Sequence, residues 1–473
     1  MTDQELLKIA EEKLVEYRRF QREGLICLDG EFFPSVHYPP ITMYPPTDEE
    51  RLFKGYTNPS DGLFIIYAHI PFCMQYCNFC HYPNLIGDLP EEKARYIAAM
   101  EKEMDIYMRR LGLKTIKARS ILIGGGTPTY LTPAMLDKFL KMFTSRLDLS
   151  SCTQFNYDVD PLTLLGPDGD ERFKILKSYG VDRLTIGFQS LNDGLLKAMN
   201  RPHTAAQAVE SAVRAKAAGF QVCIEFIYGY PGETLETWMA TVRDAAKVGV
   251  EEIQLYHLKV IPYGDHAGLI SKNSIAGKKG FFSPETMALM KEVSRLILEE
   301  AGYKENLTRV FTTKPKYFSH YAADQCCNLC DQVSFGITAF SSLRDRFGLN
   351  TQRFNEYYKL IEQDKLPLNR GMIRSHDEQI RWNIVLPLKN RRVFKKQFEK
   401  STGVSLNTVF RRKIERLKSS GLLHEDENSL VLTPLGRFFA DEICHQFHSV
   451  QYIPFPREAY SPGPLNPYND PEP

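Results

Sequence analysis

The chain has 473 residues, 43% of them apolar and 25% charged, with a net charge of +1. These values fit a soluble globular protein with one large domain plus smaller additions, and they supply no general attraction for nucleic acid or a membrane surface. Ten cysteines occur without even spacing, the opening MTDQELLKIAEEKLVEYRRF is charged rather than leader-like, and no apolar run approaches membrane-spanning length. A reduced, cytoplasmic setting with free thiols is therefore expected.

Residues 1–60 are expected to hold a helix from about Glu5 to Arg22, then an extended strap, because the two Tyr-Pro-Pro steps in VHYPPITMYPPTDEE forbid a helix. From 61 to 305, the strand-like runs LFIIYAHI, SILIGG, QFNYDVD, RLTIGF, QVCIEFIY and EIQLYHLKVI alternate with helical segments such as Glu91–Arg110, Pro133–Ser145, Ala205–Ala218 and Leu235–Val248. Such alternation predicts βαβ units and a parallel sheet, curled by right-handed crossovers into an open six-unit barrel. Ligands of such barrels gather at the C-terminal ends of the strands. Residues 306–375 are expected to connect this domain to a helical domain at 376–450, whose end LLHEDENSLVLTPLGRFFADEI is similar to a winged helix. Lys395, Lys396, Arg411, Arg412 and Lys413 raise DNA binding as an alternative, but interleaved acids favour a solvated face. The Pro-rich tail, 451–473, is expected to be disordered or draped on the surface.

The chemistry concentrates in YAHIPFCMQYCNFCHYPN, where Cys73, Cys77 and Cys80 follow the first strand with C-x3-C-x2-C spacing. Three thiolates on one loop hold three irons of a cubane cluster and leave the fourth iron without a protein ligand. A structural zinc site wants four ligands, usually in two pairs, and a disulfide would leave an odd thiol. With Phe79 before its last cysteine, the motif resembles that of the radical S-adenosylmethionine (SAM) enzymes. The longer string Tyr67-Ala-His-Ile-Pro-Phe-Cys73 resembles their HemN-like branch, that of oxygen-independent coproporphyrinogen III oxidase. The resemblance implies a partial (β/α)6 barrel, a [4Fe–4S] cluster, one or two molecules of SAM, and an electron donor such as flavodoxin or ferredoxin. It also implies that SAM chelates the open iron and is cleaved reductively to methionine and a 5′-deoxyadenosyl radical.

Other residues are carried over motif by motif. Gly124, Gly125 and Gly126 form a strand-ending turn that lets backbone approach a ligand and expose N–H groups; with Thr127 and Pro128 they resemble the GGGTP motif that holds the SAM amino group. Asp158 and Asp160 project to one side of the third strand. Asp158 stands where the family usually has Glu against SAM, whereas Asp160-Pro161 suits a helix cap. Gln189 and Arg201 match family residues facing SAM, and an arginine suits a bidentate carboxylate clamp. Glu225, a carboxylate amid Val222, Ile224, Phe226 and Ile227, is costly unless paired or ligand-bound; the family usually has Asp there. The resemblance makes Glu225, Arg201 and Tyr67 catalytic. It also puts Tyr67, Phe79 and Ile261 among the cofactor-binding residues.

His69 reads as a satisfied core histidine or a support for the cluster loop, and His81 as touching the cluster sulfurs or solvated. Cys326, Cys327 and Cys330 form a second thiol group, fit for a metal, an auxiliary cluster, a redox pair or plain packing. The expected reaction is methyl or methylene transfer to an sp2 carbon of an aromatic or tetrapyrrole small molecule. Coproporphyrinogen oxidase-type decarboxylation is one alternative, weakened because SVHYPPITMYPP only partly echoes that enzyme's N-terminal signature. A haem chaperone is another, although no His-Asn pair of its H-N-x-x-Y signature occurs.

Overall fold

The computed structural model describes residues 1–28, 37–260, 268–270, 282–390, 392–453 and 459–469. Its core is a parallel run of six strands: β1 (Leu63–Ile70), β2 (Ile116–Gly125), β3 (Phe155–Val159), β4 (Arg183–Gln189), β5 (Gln221–Tyr228) and β6 (Glu252–His257). β1 is nearly continuously apolar and mostly buried, as a parallel strand covered on both faces is, whereas β3 to β6 carry inward polar residues among their apolar ones. The intervening helices include Pro90–Leu111, Pro133–Thr144, Gly169–Ser178, Ala205–Ala217 and Leu235–Lys247. Threonine caps at Thr132, Thr204 and Thr234 start three of them by accepting backbone N–H bonds. The six expected strands and four named helices all appear, shifted at their ends by a few residues. The sixth strand ends at His257, and Ile261 lies outside the described residues.

The segment expected as a connection instead extends the same sheet at both edges. Lys304–Leu307 and Val310–Thr312 add to β6, while Gln332–Phe335 pairs parallel to β1 and leads into an antiparallel meander, Phe340–Leu343, Arg346–Asn350 and Leu368–Ile373.

The N-terminal helix Asp3–Arg22 is closed by a Thr2–Glu5 capping box and packs on the helix Pro284–Glu300. The strap then runs beside the edge strand Leu368–Ile373: Gly371 N donates to Pro45 O at 2.9 Å, and Pro46 bridges Arg370. The C-terminal domain places the helices His376–Lys389, Lys395–Thr402 and Leu406–Ser419 beside a three-stranded antiparallel sheet, which is winged-helix-like. Its basic residues do not form one open face, since Lys395 pairs with Glu425 at 2.8 Å and Lys413 is 3% exposed. The described part of the tail is draped on the N-terminal region, with Leu465 fully buried and its N–H donating to Glu23 O at 2.9 Å. No described helix is long and apolar enough to cross a membrane.

Candidate active site

The cysteine loop leaves the C-terminal end of β1 and is fastened on two sides. Gly126 N donates to Ile70 O at 2.9 Å and Thr127 N to Phe72 O at 2.8 Å, while Asn78 and Asn200 exchange side-chain-to-backbone bonds with Ala198 and Tyr76 at 2.8 and 2.7 Å. The N–H of Gly126, expected to face a ligand, is thus committed to the loop itself, as is that of Thr127. A ligand's amino group would in any case need acceptors rather than these donors.

All ten cysteines are free thiols. Four donors point at the sulfurs of the first triplet: Thr127 Oγ1 at 3.7 Å from Cys73, Arg201 Nη1 at 3.3 Å from Cys77, and Tyr82 N and Asn84 Nδ2 at 3.4 and 3.5 Å from Cys80. Burial pushes the Cys73 thiol up to about 12 and that of Cys80 to about 11. A buried thiolate therefore needs a metal to take the proton's place. No group of three or more His, Cys, Asp or Glu among the described residues is close enough to share one metal ion. That geometry disfavours a mononuclear zinc, while a cubane needs each thiolate on a separate iron. A Cβ added to Gly126 would stand 2.7 Å from Cys73 Sγ and 2.7 Å from Asn84 Oδ1, so only glycine lets this turn approach the sulfur.

Arg201 is largely buried, its side chain 10% exposed, and ion-paired with Asp160 at 2.9 Å, and it also donates to Gly187 O at 2.9 Å. Both terminal nitrogens are occupied, and Nε has no partner. The open two-pronged clamp expected from the sequence is therefore not displayed; one buried donor is. Asp160 does cap the next helix, accepting from Leu162 N at 3.0 Å, and its second oxygen holds Arg201. Gln189 sits beside Arg201 in the left-handed backbone region at φ 70°, strain of the kind that clusters at functional sites.

Below the loop lies a buried polar floor. Arg183 pairs with Glu252 at 2.6 Å and donates to Asn156 Oδ1 at 2.6 Å; Asn156 Nδ2 reaches Asp158 at 3.2 Å. Tyr256 OH reaches Glu225 at 3.2 Å and also bonds Gln254. Three carboxylates thus share one close arginine. Burial, then the charge of Glu225, raises Asp158 well above the carboxylate range, and burial pushes Glu225 up to about 7. Gly124 is required here too, since a Cβ would overlap Asp158 Oδ2 and stand 3.5 Å from the Tyr67 ring. Tyr67 OH bonds His69 Nδ1 at 2.9 Å, and burial holds His69 at about 3, hence neutral. His69 is a satisfied core histidine, also within 3.3 Å of Thr338 Oγ1.

Phe79 packs with Leu195, Met199, Tyr230, Leu258 and Ile270. Pro128 opens a short 3-10 turn beyond Thr127, and its carbonyl accepts from Tyr157 OH at 3.4 Å. The His81 ring nitrogens meet Lys259 O at 2.9 Å and Gly268 N at 3.1 Å, tying the loop to the chain after β6. Tyr82, Asn84, Arg183, Glu252 and Tyr256 were not anticipated. Arg183 was findable, as a lone cation inside the apolar strand RLTIGF.

A radical SAM superfamily model matches residues 67–245, and a HemN C-terminal domain model matches 374–439. The chain is 28% identical to the haem chaperone HemW of Bacillus subtilis, over 80% of this chain and 98% of that one. It is 23% identical to the oxygen-independent coproporphyrinogen III oxidase of Pseudomonas aeruginosa, over 82% and 86% respectively. The solved coproporphyrinogen III oxidase HemN of Escherichia coli superposes with a TM-score of 0.70 at 22% identity, covering 85% of this chain and 92% of that one. Fold and cluster loop together define a radical SAM protein. The chain thus carries a radical SAM domain followed by a HemN C-terminal domain.

Proposed function

We propose that this protein is a radical SAM enzyme acting on a tetrapyrrole or comparable flat small molecule, with its cluster on Cys73, Cys77 and Cys80. The observation that carries this reading is the set of four donors aimed at the three sulfurs, above a carboxylate-rich floor. The donor set fits the group: three thiols on one loop, sulfur-directed N–H and O–H groups, and an unpartnered buried Arg201 Nε. When bound and reduced by an electron donor, the cluster supplies the electron that cleaves SAM to methionine and a 5′-deoxyadenosyl radical. Arg201 places a positive charge beside Cys77 and offers Nε to a ligand carboxylate. Asp158 and Glu225 offer buried acceptors for ligand hydroxyls, Glu225 being poised near neutrality to hold or release a proton at its carboxyl. Apolar packing around Phe79 excludes water from the side of the loop facing Met199 and Tyr230.

The relatives' names speak for tetrapyrrole handling and give no support to methyl transfer. The test is anaerobic reconstitution with SAM and dithionite. Formation of 5′-deoxyadenosine by the protein, and its loss in Cys77→Ala, is the expected result; no product from a protein with an intact cluster would overturn the proposal. A second reading, a haem carrier, draws on the similarity to HemW across nearly all of that chain. It requires a Soret band saturating at one haem per chain.

A further inference from the structure

A cavity of about 300 Å³, at the small end of the range for small-molecule sites, lies at the edge of the sheet where three parts of the chain meet. The N-terminal helix supplies Lys13, the helix Pro284–Glu300 supplies Lys291, and the C-terminal domain supplies Arg437 and Phe438. The sheet supplies Tyr228 of β5, Leu255 of β6 and Phe311 of the strand Val310–Thr312. Successive side chains of a strand point to opposite faces. Leu255 adjoins Tyr256 on β6 and Tyr228 stands three positions beyond Glu225 on β5, so both face away from the carboxylate floor. Tyr228 instead meets Trp238 of the helix Leu235–Lys247, at 5.3 Å between ring centres. The cavity is therefore separate from the candidate active site.

Its charges do not cancel in pairs. Arg295 is taken by Glu292 and Glu299, at 2.6 and 2.5 Å. Arg309 pairs with Asp441, and its backbone N–H donates to Glu305 Oε1 at 2.7 Å. Lys13, Lys291 and Arg437 are left, each partly buried, and among the described residues none of the three is ion-paired. The Lys291 ammonium donates to the Phe438 carbonyl and stands 4.8 Å from the centre of that ring; Lys13 stands 5.8 Å from the same centre. Glu442, Asp441 and Glu305 act on Lys291 at longer range, and Arg309 opposes them. Cations drawn out of water without a counter-ion are costly, and an anion entering the cavity would relieve that cost. The aromatic and aliphatic wall beside them suits an apolar body on the same molecule.

We propose that this cavity binds a small aromatic anion, its carboxylate or phosphate held by Lys291, Lys13 and Arg437 and its ring packed against Phe438, Phe311 and Leu255. An ammonium and a guanidinium both suit either oxyanion. Occupied, the site joins the C-terminal domain to the N-terminal helix and the sheet edge through one ligand, independently of the chemistry at the cluster.

The test is isothermal titration calorimetry of the full-length, cluster-loaded protein with 1-naphthyl phosphate, 1-naphthoate and the uncharged 1-naphthol. Wild type is expected to bind one or both anions at least about 10-fold more tightly than the naphthol, and the tighter of the two tells phosphate from carboxylate. Lys291→Met should weaken the anions about 10-fold or more and Arg437→Gln about 3-fold or more, with naphthol binding and the cluster's visible absorbance unchanged. Anions bound equally by wild type and both variants, naphthol bound as tightly as the anions, or no anion bound below about 1 mM would each overturn the site. Arg437→Gln decides the matter should Lys291→Met misfold.

Discussion

Two cysteine triplets occur in this chain, and the structure treats them differently. Cys73, Cys77 and Cys80 have spaced thiols that accept hydrogen bonds from a hydroxyl, a guanidinium, an amide and a backbone N–H. Cys326, Cys327 and Cys330 close a short helix, His320–Cys326; the Cys326 thiol donates to Gln325 Oε1 at 3.9 Å, and Cys330 feels the charges of Asp324, Asp61 and Asp331, opposed by Arg119. Burial raises Cys326 to about 11 and Cys330 to about 12, as it raises Cys73 and Cys80, so acidity does not separate these four. Surroundings do: donors aimed at sulfur favour a thiolate on metal, and carboxylates around sulfur favour a thiol. Spacing nominates ligands, and the second shell selects among them.

The sharpest test of this contrast is iron content. Cys73→Ala, Cys77→Ala or Cys80→Ala should abolish the cluster's visible absorbance and all SAM cleavage, whereas Cys326→Ala and Cys330→Ala should keep both. Iron lost from Cys326→Ala would break the comparison.

Next in size is a stability effect beneath the loop. Arg183→Met removes the close cation of a floor holding Asp158, Glu225 and Glu252, and should cost about 3–5 kcal/mol in denaturant unfolding. Arg201→Gln keeps the fold but removes the charge beside Cys77; cleavage should fall about 10–100-fold, with iron content near normal.

A further effect on stability is a pH dependence. The folded-state value of Glu225, about 7, lies above its ordinary 4.5, so the folded protein holds more protons than the unfolded chain between those values. Stability from this group is full below about 4.5 and lost as pH rises towards 7, at up to about 1.4 kcal/mol per pH unit. Relative to wild type, Glu225→Gln should therefore gain stability with rising pH and level off above about 7. A constant difference across that range would show that Glu225 is not desolvated.

Much of this was legible in the sequence because it is local. The six βα units follow from apolar runs alternating with helical periods, and the cluster loop from the spacing of three cysteines after a strand. What was not legible is long-range. Arg201 was expected to clamp a ligand with two prongs, but Asp160, 41 residues earlier, already holds one. The strands beyond Gln332 join the sheet beside β1, a pairing that only the closed fold brings about. One His81 ring nitrogen meets Lys259 O, 178 residues on, a contact that the local sequence does not announce.

The most direct measurement is electron paramagnetic resonance of the reduced, reconstituted protein with and without SAM. A cluster on three cysteines has one open iron, so SAM should change the spectrum of wild type and of Cys326→Ala alike. A spectrum indifferent to SAM, from a protein carrying a full cluster, would contradict the account.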